Sequence, residues 1–118
     1  MPPHDAIAFK ILTADQWSQL KRDGVFHGAP VDLADGYIHM STTAQVDETL
    51  SKHFAGQSGL VVAAIDLTAC GDAVKWEVSR GGALFPHLYA PLDVKAVLRV
   101  DALPLAETGH HAFPRFYC

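Results

Sequence analysis

Residues 59–79 read GLVVAAIDLTACGDAVKWEVS, and this stretch decides the fold class. Gly59 to Leu67 is the most hydrophobic run of the chain, the pattern of a strand at the centre of a sheet. Thr68 to Asp72 turns the chain, and Val74 to Ser79 returns as a strand, which predicts a hairpin between the two. Upstream, Ala6 to Leu12 is a short apolar run that reads as a first strand. Thr13-Ala-Asp-Gln16 matches a capping box, so a helix should follow through Trp17 and Leu20 and stop at Asp23-Gly24. Val25 to Ala34 reads as irregular, Asp35-Gly36 as a turn, and Tyr37 to Ser41 as a strand. A second box, Thr42 to Gln45, opens a helix with Val46, Leu50 and Phe54 at spacing four, ending at Gly56. Phe85 to Tyr89 is extended or irregular, and Val94 to Val100 is the last strand. This order predicts an α+β domain, two main helices packed on a small, mostly antiparallel sheet. One domain spans 1–118, with its core over 6–103 and a polar-aromatic tail from Pro104 to Cys118. Trp17, Leu20, Leu50, Phe54, Val61, Val62, Ile65, Val97 and Leu98 are the candidate core.

Composition narrows the function classes. A chain of 118 residues can bury one core without staples, and 49% hydrophobic with 19% charged residues is a globular balance. The net charge of -4 argues against duplex nucleic acid as a partner, since no broad basic groove can be built; contact with one phosphate stays open. Cys70 and Cys118 form neither a disulfide framework nor a zinc spacing, so a reduced, cytoplasmic protein is expected. Residues 1–17 show no cationic region followed by a long apolar run, so no signal peptide is expected. No apolar stretch approaches the roughly 20 residues that span a bilayer, so no membrane partner is expected either.

Candidate chemistry follows from strand alternation. Tyr37, His39 and Ser41 fall on one face of their strand, with Ile38 and Met40 on the other. Glu77 and Ser79 share a face opposite Trp76 and Val78; Phe85, His87 and Tyr89 share one opposite Pro86 and Leu88. If those faces meet, two imidazoles, a carboxylate, a phenol and two hydroxyls line one cleft. An antiparallel sheet with one solvated face produces the same alternation with no function, although His, Tyr and Trp are unusual choices for a plain solvated face. After Ser79, Arg80-Gly81-Gly82 lets the backbone approach an anion that Arg80 could hold bidentately; the bland alternative is a surface turn. Two imidazoles and Glu77 would also suit a metal, although no ligand pair at helical spacing supports one. Ser41 and Ser79 sit in no Gly-x-Ser-x-Gly elbow, which argues against a serine hydrolase.

Several motifs in order resemble the domain-of-unknown-function 952 family: Asp35-Gly-Tyr-Ile-His-Met-Ser-Thr42, a helix ending His53-Phe-Ala-Gly56, Trp76-Glu-Val-Ser-Arg-Gly-Gly82 and Phe85-Pro-His-Leu-Tyr89. Tyr37-Ile-His-Met-Ser41 is also similar to the His-x-His-x-Ser strand of RNA 2′-phosphotransferases, relatives of the ADP-ribosyltransferases, with Tyr37 in place of the first histidine. That second resemblance implies an ADP-ribosyltransferase-like fold and NAD as a substrate, with His39 on a ribose, Tyr89 stacked on nicotinamide and Glu77 assisting. The chain departs from that superfamily in placing Glu77 before Tyr89 and in lacking its arginine-rich set.

The expectation is a domain that binds a small, anionic, nucleotide-like ligand of NAD or ADP-ribose type. If it is an enzyme, it transfers an ADP-ribosyl group or acts at a glycosidic bond. His39, Glu77 and His87 are the candidate catalytic residues. Tyr37, Ser41, Thr42, Ser79, Arg80, Gly81, Gly82, Phe85 and Tyr89 are the candidate ligand contacts. A non-catalytic metabolite- or protein-binding module and a metal-dependent hydrolase using His39 and His87 are the alternatives.

Overall fold

Thr13 both ends the first strand and starts the first helix. In the computed structural model, which describes residues 6–79 and 82–112, β1 (Ile7–Thr13) runs straight into α1 (Ala14–Asp23). Thr13 Oγ1 accepts from the Gln16 amide at 3.1 Å, and Gln16 Oε1 accepts from the Thr13 amide at 2.9 Å, completing the capping box. Gly24 closes the helix at φ 77°, a left-handed turn that glycine takes without steric cost.

The remaining strands and α-helices of the described residues are β2 (Val25–Phe26), α2 (Pro30–Asp35), β3 (Ile38–His39), α3 (Val46–His53), β4 (Leu60–Asp66), α4 (Leu67–Cys70), β5 (Val74–Val78), β6 (Leu84–Leu88), β7 (Leu92–Asp93) and β8 (Val97–Leu103). Among the described residues all pairings are antiparallel, in three sheets ordered β1-β4-β8, β2-β7 and β3-β6-β5. Phe9 and Ser41 exchange both backbone hydrogen bonds, at 2.8 and 2.9 Å, and so dock the end of the β3 segment onto β1. The fold is α+β, as predicted.

β4 is central, and its two faces explain the unbroken apolar run. Ala63 and Ile65 join one buried cluster with Leu12, Leu20, Phe26, Ile38, Met40 and Leu88. Leu60, Val62 and Ala64 join another with Phe9, Ile11, Val46, Leu50 and Leu103. The predicted β4–β5 hairpin does not form. A strand has two hydrogen-bonding edges, and β1 and β8 occupy both edges of β4. Asp66 instead caps α4 through the Thr68 amide, the chain leaves the sheet, and β5 pairs with β6.

Other differences are local. The segment read as irregular holds β2 and α2, the latter opened by Pro30 in the first turn, where a missing N–H costs nothing. Only Ile38 and His39 of the Tyr37–Ser41 run have strand geometry, and Ser41 forms an isolated bridge. The last strand starts at Val97, because Asp93 accepts from the Lys95 amide and winds Val94–Ala96 into a 3-10 turn. Leu98 is 54% exposed on the edge strand β8 and leaves the core, and Val78, placed with Trp76 on the packing side, is 69% exposed. Among the described residues, no helix is long and apolar enough to cross a membrane.

Candidate functional site

The cross-strand register of β3 and β6 sets His39 directly opposite His87. Neighbours so paired bring their side chains together on one face, and the two rings meet edge to face with centroids 5.6 Å apart. Tyr37 stacks on His87 at 4.1 Å, while Tyr89 lies tilted 5.1 Å from Tyr37. Behind this cluster Ile38, Met40 and Leu88 face the core, so the alternation read from the sequence holds here. His87 is only 2% exposed, however, and is no part of a solvated face.

Both histidines are held by carboxylates. His87 Nδ1 donates to Glu77 Oε1 at 2.8 Å, and the Tyr89 hydroxyl donates to the same oxygen at 2.6 Å. The Tyr89 hydrogen bond, then that of His87, holds the Glu77 carboxyl below its usual range, and the bond to Glu77 pushes Tyr89 up to about 12. His39 Nδ1 lies 2.6 Å from Asp32 Oδ1, and its Nε2 lies 2.9 Å from Asp35 Oδ2, so both ring nitrogens are engaged by carboxylates.

Asp32, 1% exposed, is the hub of this side of the molecule. It caps its own helix, accepting from the Ala29 amide at 2.8 Å, and also takes the His39 amide at 3.0 Å. Lys10 Nζ, on β1, sits 2.9 Å from Oδ2 and 3.2 Å from Oδ1. Burial pushes the Asp32 carboxyl up, but the His39 hydrogen bond and the Lys10 charge outweigh it and bring it down to about 2. Burial lowers Lys10, with the Asp32 charge opposing.

A cleft of about 580 Å³ opens over this network. β1 contributes Phe9, Lys10 and Ile11, α2 contributes Pro30, Val31 and Asp35, and α3 contributes Thr49 and His53, followed by Phe54 just past its end. The far wall is His39, Met40 and Ser41 with Ser79, Phe85 and His87. Ser41 Oγ and Thr49 Oγ1 are 2.9 Å apart inside it. Of the residues singled out from the sequence, His39, Ser41, Ser79, Phe85 and His87 line the cleft. Glu77, Tyr37 and Tyr89 stand beside it as supports of His87. The Thr42 amide donates to Gln45 Oε1 at the start of α3, away from the cleft walls. Gly82 has φ 78° and donates to the Ser79 carbonyl, the geometry of a tight turn. Arg80 and Gly81, expected to clamp an anion, lie outside the described residues.

The family described as protein of unknown function (DUF952) matches residues 11–100. The chain belongs to that family. Its fold is also similar to that of protein CC0527 from Caulobacter crescentus. The crystal structure of that protein is 44% identical over 94% of this chain and 97% of that one, with a TM-score of 0.90. Its solution NMR structure is 46% identical over 90% and 91%, with a TM-score of 0.80. No curated protein matches the chain. Within this DUF952 domain, Lys10, Asp32, Asp35 and Thr49 are the site residues that sequence reasoning missed. One signal was available: a lysine inside the apolar run AIAFKIL must be buried, and a buried ammonium needs a carboxylate. Which carboxylate answers it depends on packing across 22 residues.

Proposed function

We propose that this DUF952 domain binds a small nucleotide-like ligand of NAD or ADP-ribose type in the cleft between β1, α2, α3 and the β3–β6 pair. The supporting observation is the cleft wall itself. Apolar Phe9, Ile11, Phe54 and Phe85 surround convergent His39, Ser41, Thr49 and His87, the mix of apolar area and few placed polar groups that small-ligand sites show. Hydroxyl and imidazole groups side by side suit a ribose, and the aromatic walls suit a base. If the bound ligand turns over, transfer of the ADP-ribosyl group or cleavage at its glycosidic bond is the reaction class. A metal-dependent use of His39 and His87 is less well supported. Both His39 nitrogens already serve carboxylates, and among the described residues no group of three or more His, Cys, Asp or Glu is spaced to hold an ion.

The test is a melting-temperature screen with NAD, ADP-ribose, neutral nucleosides and zinc. A ligand at a hundredfold excess over its Kd stabilises the folded state by about 2.7 kcal/mol. NAD or ADP-ribose should raise Tm in the wild type and fail to do so in His39→Ala and in Ser79→Trp, which crowds the cleft without touching the buried network. A flat response to both nucleotides overturns the proposal. In that case a response to zinc alone favours the hydrolase reading, and silence from every ligand leaves a non-catalytic interaction module.

A further inference from the structure

We infer that His87, through Nε2, is the proton acceptor of the cleft, and that Glu77 and Tyr89 are positioning residues that act through it; the inference rests on the cleft being a ligand site. Three observations carry it. The His87 ring lines the cleft while its Nδ1 is spent on Glu77 at 2.8 Å. No described residue bonds Nε2, and no buried polar atom of the described residues lacks a partner, so Nε2 is the ring atom that reaches the cleft. The ring cannot turn freely, because Tyr37 stacks on it at 4.1 Å and the Tyr89 hydroxyl holds Glu77 from the other side at 2.6 Å.

An ionised carboxylate accepts and cannot donate, so it fixes Nδ1–H and leaves the lone pair on Nε2. Glu77 does not line the cleft and acts through the ring; its charge stabilises the imidazolium that forms when Nε2 takes a proton. The opposite imidazole differs in kind. His39 has a carboxylate on each nitrogen, so neither ring nitrogen is left for a ligand. The ligand class that uses this asymmetry carries a hydroxyl, on a sugar or as a bound water, whose proton passes to Nε2 as its oxygen is activated.

Tautomers read from nitrogen–proton correlation spectra of the full chain test the positioning without any ligand. His87 should show Nδ1–H in the wild type, and Glu77→Ala, at a half-exposed position, should abolish that preference. An Nε2–H tautomer in the wild type, or no change in Glu77→Ala, overturns the inference. Titration with ADP-ribose tests the acceptor role: the His87 Nε2 resonance should move on binding, and His87→Gln should weaken binding about tenfold. Saturable binding that leaves Nε2 unmoved overturns the acceptor role. No binding at all defeats the nucleotide proposal, and the tautomer result then decides the positioning on its own.

Discussion

Asp32 carries more of this site than any residue expected to be catalytic. It is a buried carboxylate that answers an ammonium, a backbone cap and an imidazole at once, so removing it strands charges rather than merely deleting a contact. Asp32→Ala should cost about 3–5 kcal/mol in denaturant unfolding, because Lys10 is left buried and unpaired. Its pH dependence has a definite sign. The folded carboxyl sits at about 2 against 3.8 in the unfolded chain, so its contribution is fully present above 3.8 and is lost as pH falls through about 2. That contribution is about 2 kcal/mol, and acid unfolding of Asp32→Asn should lack the corresponding slope. Tyr89 behaves in the opposite sense. Its folded value is raised to about 12 from 10.0, so the stability it adds is present below 10.0 and lost as pH rises through about 12. In an ultraviolet titration the Tyr89 phenol should ionise near 12, and Glu77→Gln should bring that phase back toward 10.0.

The short helix α2 exists to deliver Asp32 and Asp35 to one imidazole, and the backbone before it is shaped to fit. Gly28 has φ 128°, and a Cβ there would stand 2.8 Å from the Asp32 Cβ. Gly24 also has a positive φ, but its Cβ would meet open space. Gly24→Ala should therefore cost only the left-handed backbone penalty, about 1–2 kcal/mol. Gly28→Ala should cost more and should also disturb the His39 resonances, because the obstructing atom is a fixed Cβ. Equal losses in urea titrations of the two variants would contradict this account. The helices α1 and α3 were legible because their signals are local: the Thr13–Gln16 capping box, the spacing of Val46 and Leu50, and the stop at Gly24; the second box read at Thr42–Gln45 does not form, since α3 starts at Val46 without a side-chain cap. α2 was not legible, since six residues show less than two full helical turns of periodicity.

Across the molecule, two apolar clusters lie on the two faces of β4, and the cleft sits where the β3 segment docks on β1. Stability should therefore concentrate in β4. Ile65→Ala, at a fully buried site, should lose about 2–5 kcal/mol, whereas Leu98→Ala, on the exposed side of β8, should stay within about 0.5 kcal/mol in thermal unfolding. Hydrogen exchange should follow the same order, with β4 amides slowest. The hairpin predicted between β4 and β5 shows the limit of neighbour reasoning, because β4 spends its edges on strands far from it in sequence.

By itself the sequence determined the α+β class, the central strand, two of the helices and the faces on which Tyr37, His39, Ser41, His87 and Tyr89 would lie. Each of these follows from periodicity or capping within a few residues. Tertiary structure alone decided strand order, the pairing of His39 with His87, and the burial of Lys10 against Asp32. Those contacts join residues 48 and 22 positions apart. The physical reason is that a side chain's face is a local property of the backbone. Its partner, by contrast, is chosen by the packing of the whole chain, through edges already occupied and charges that must not be buried alone.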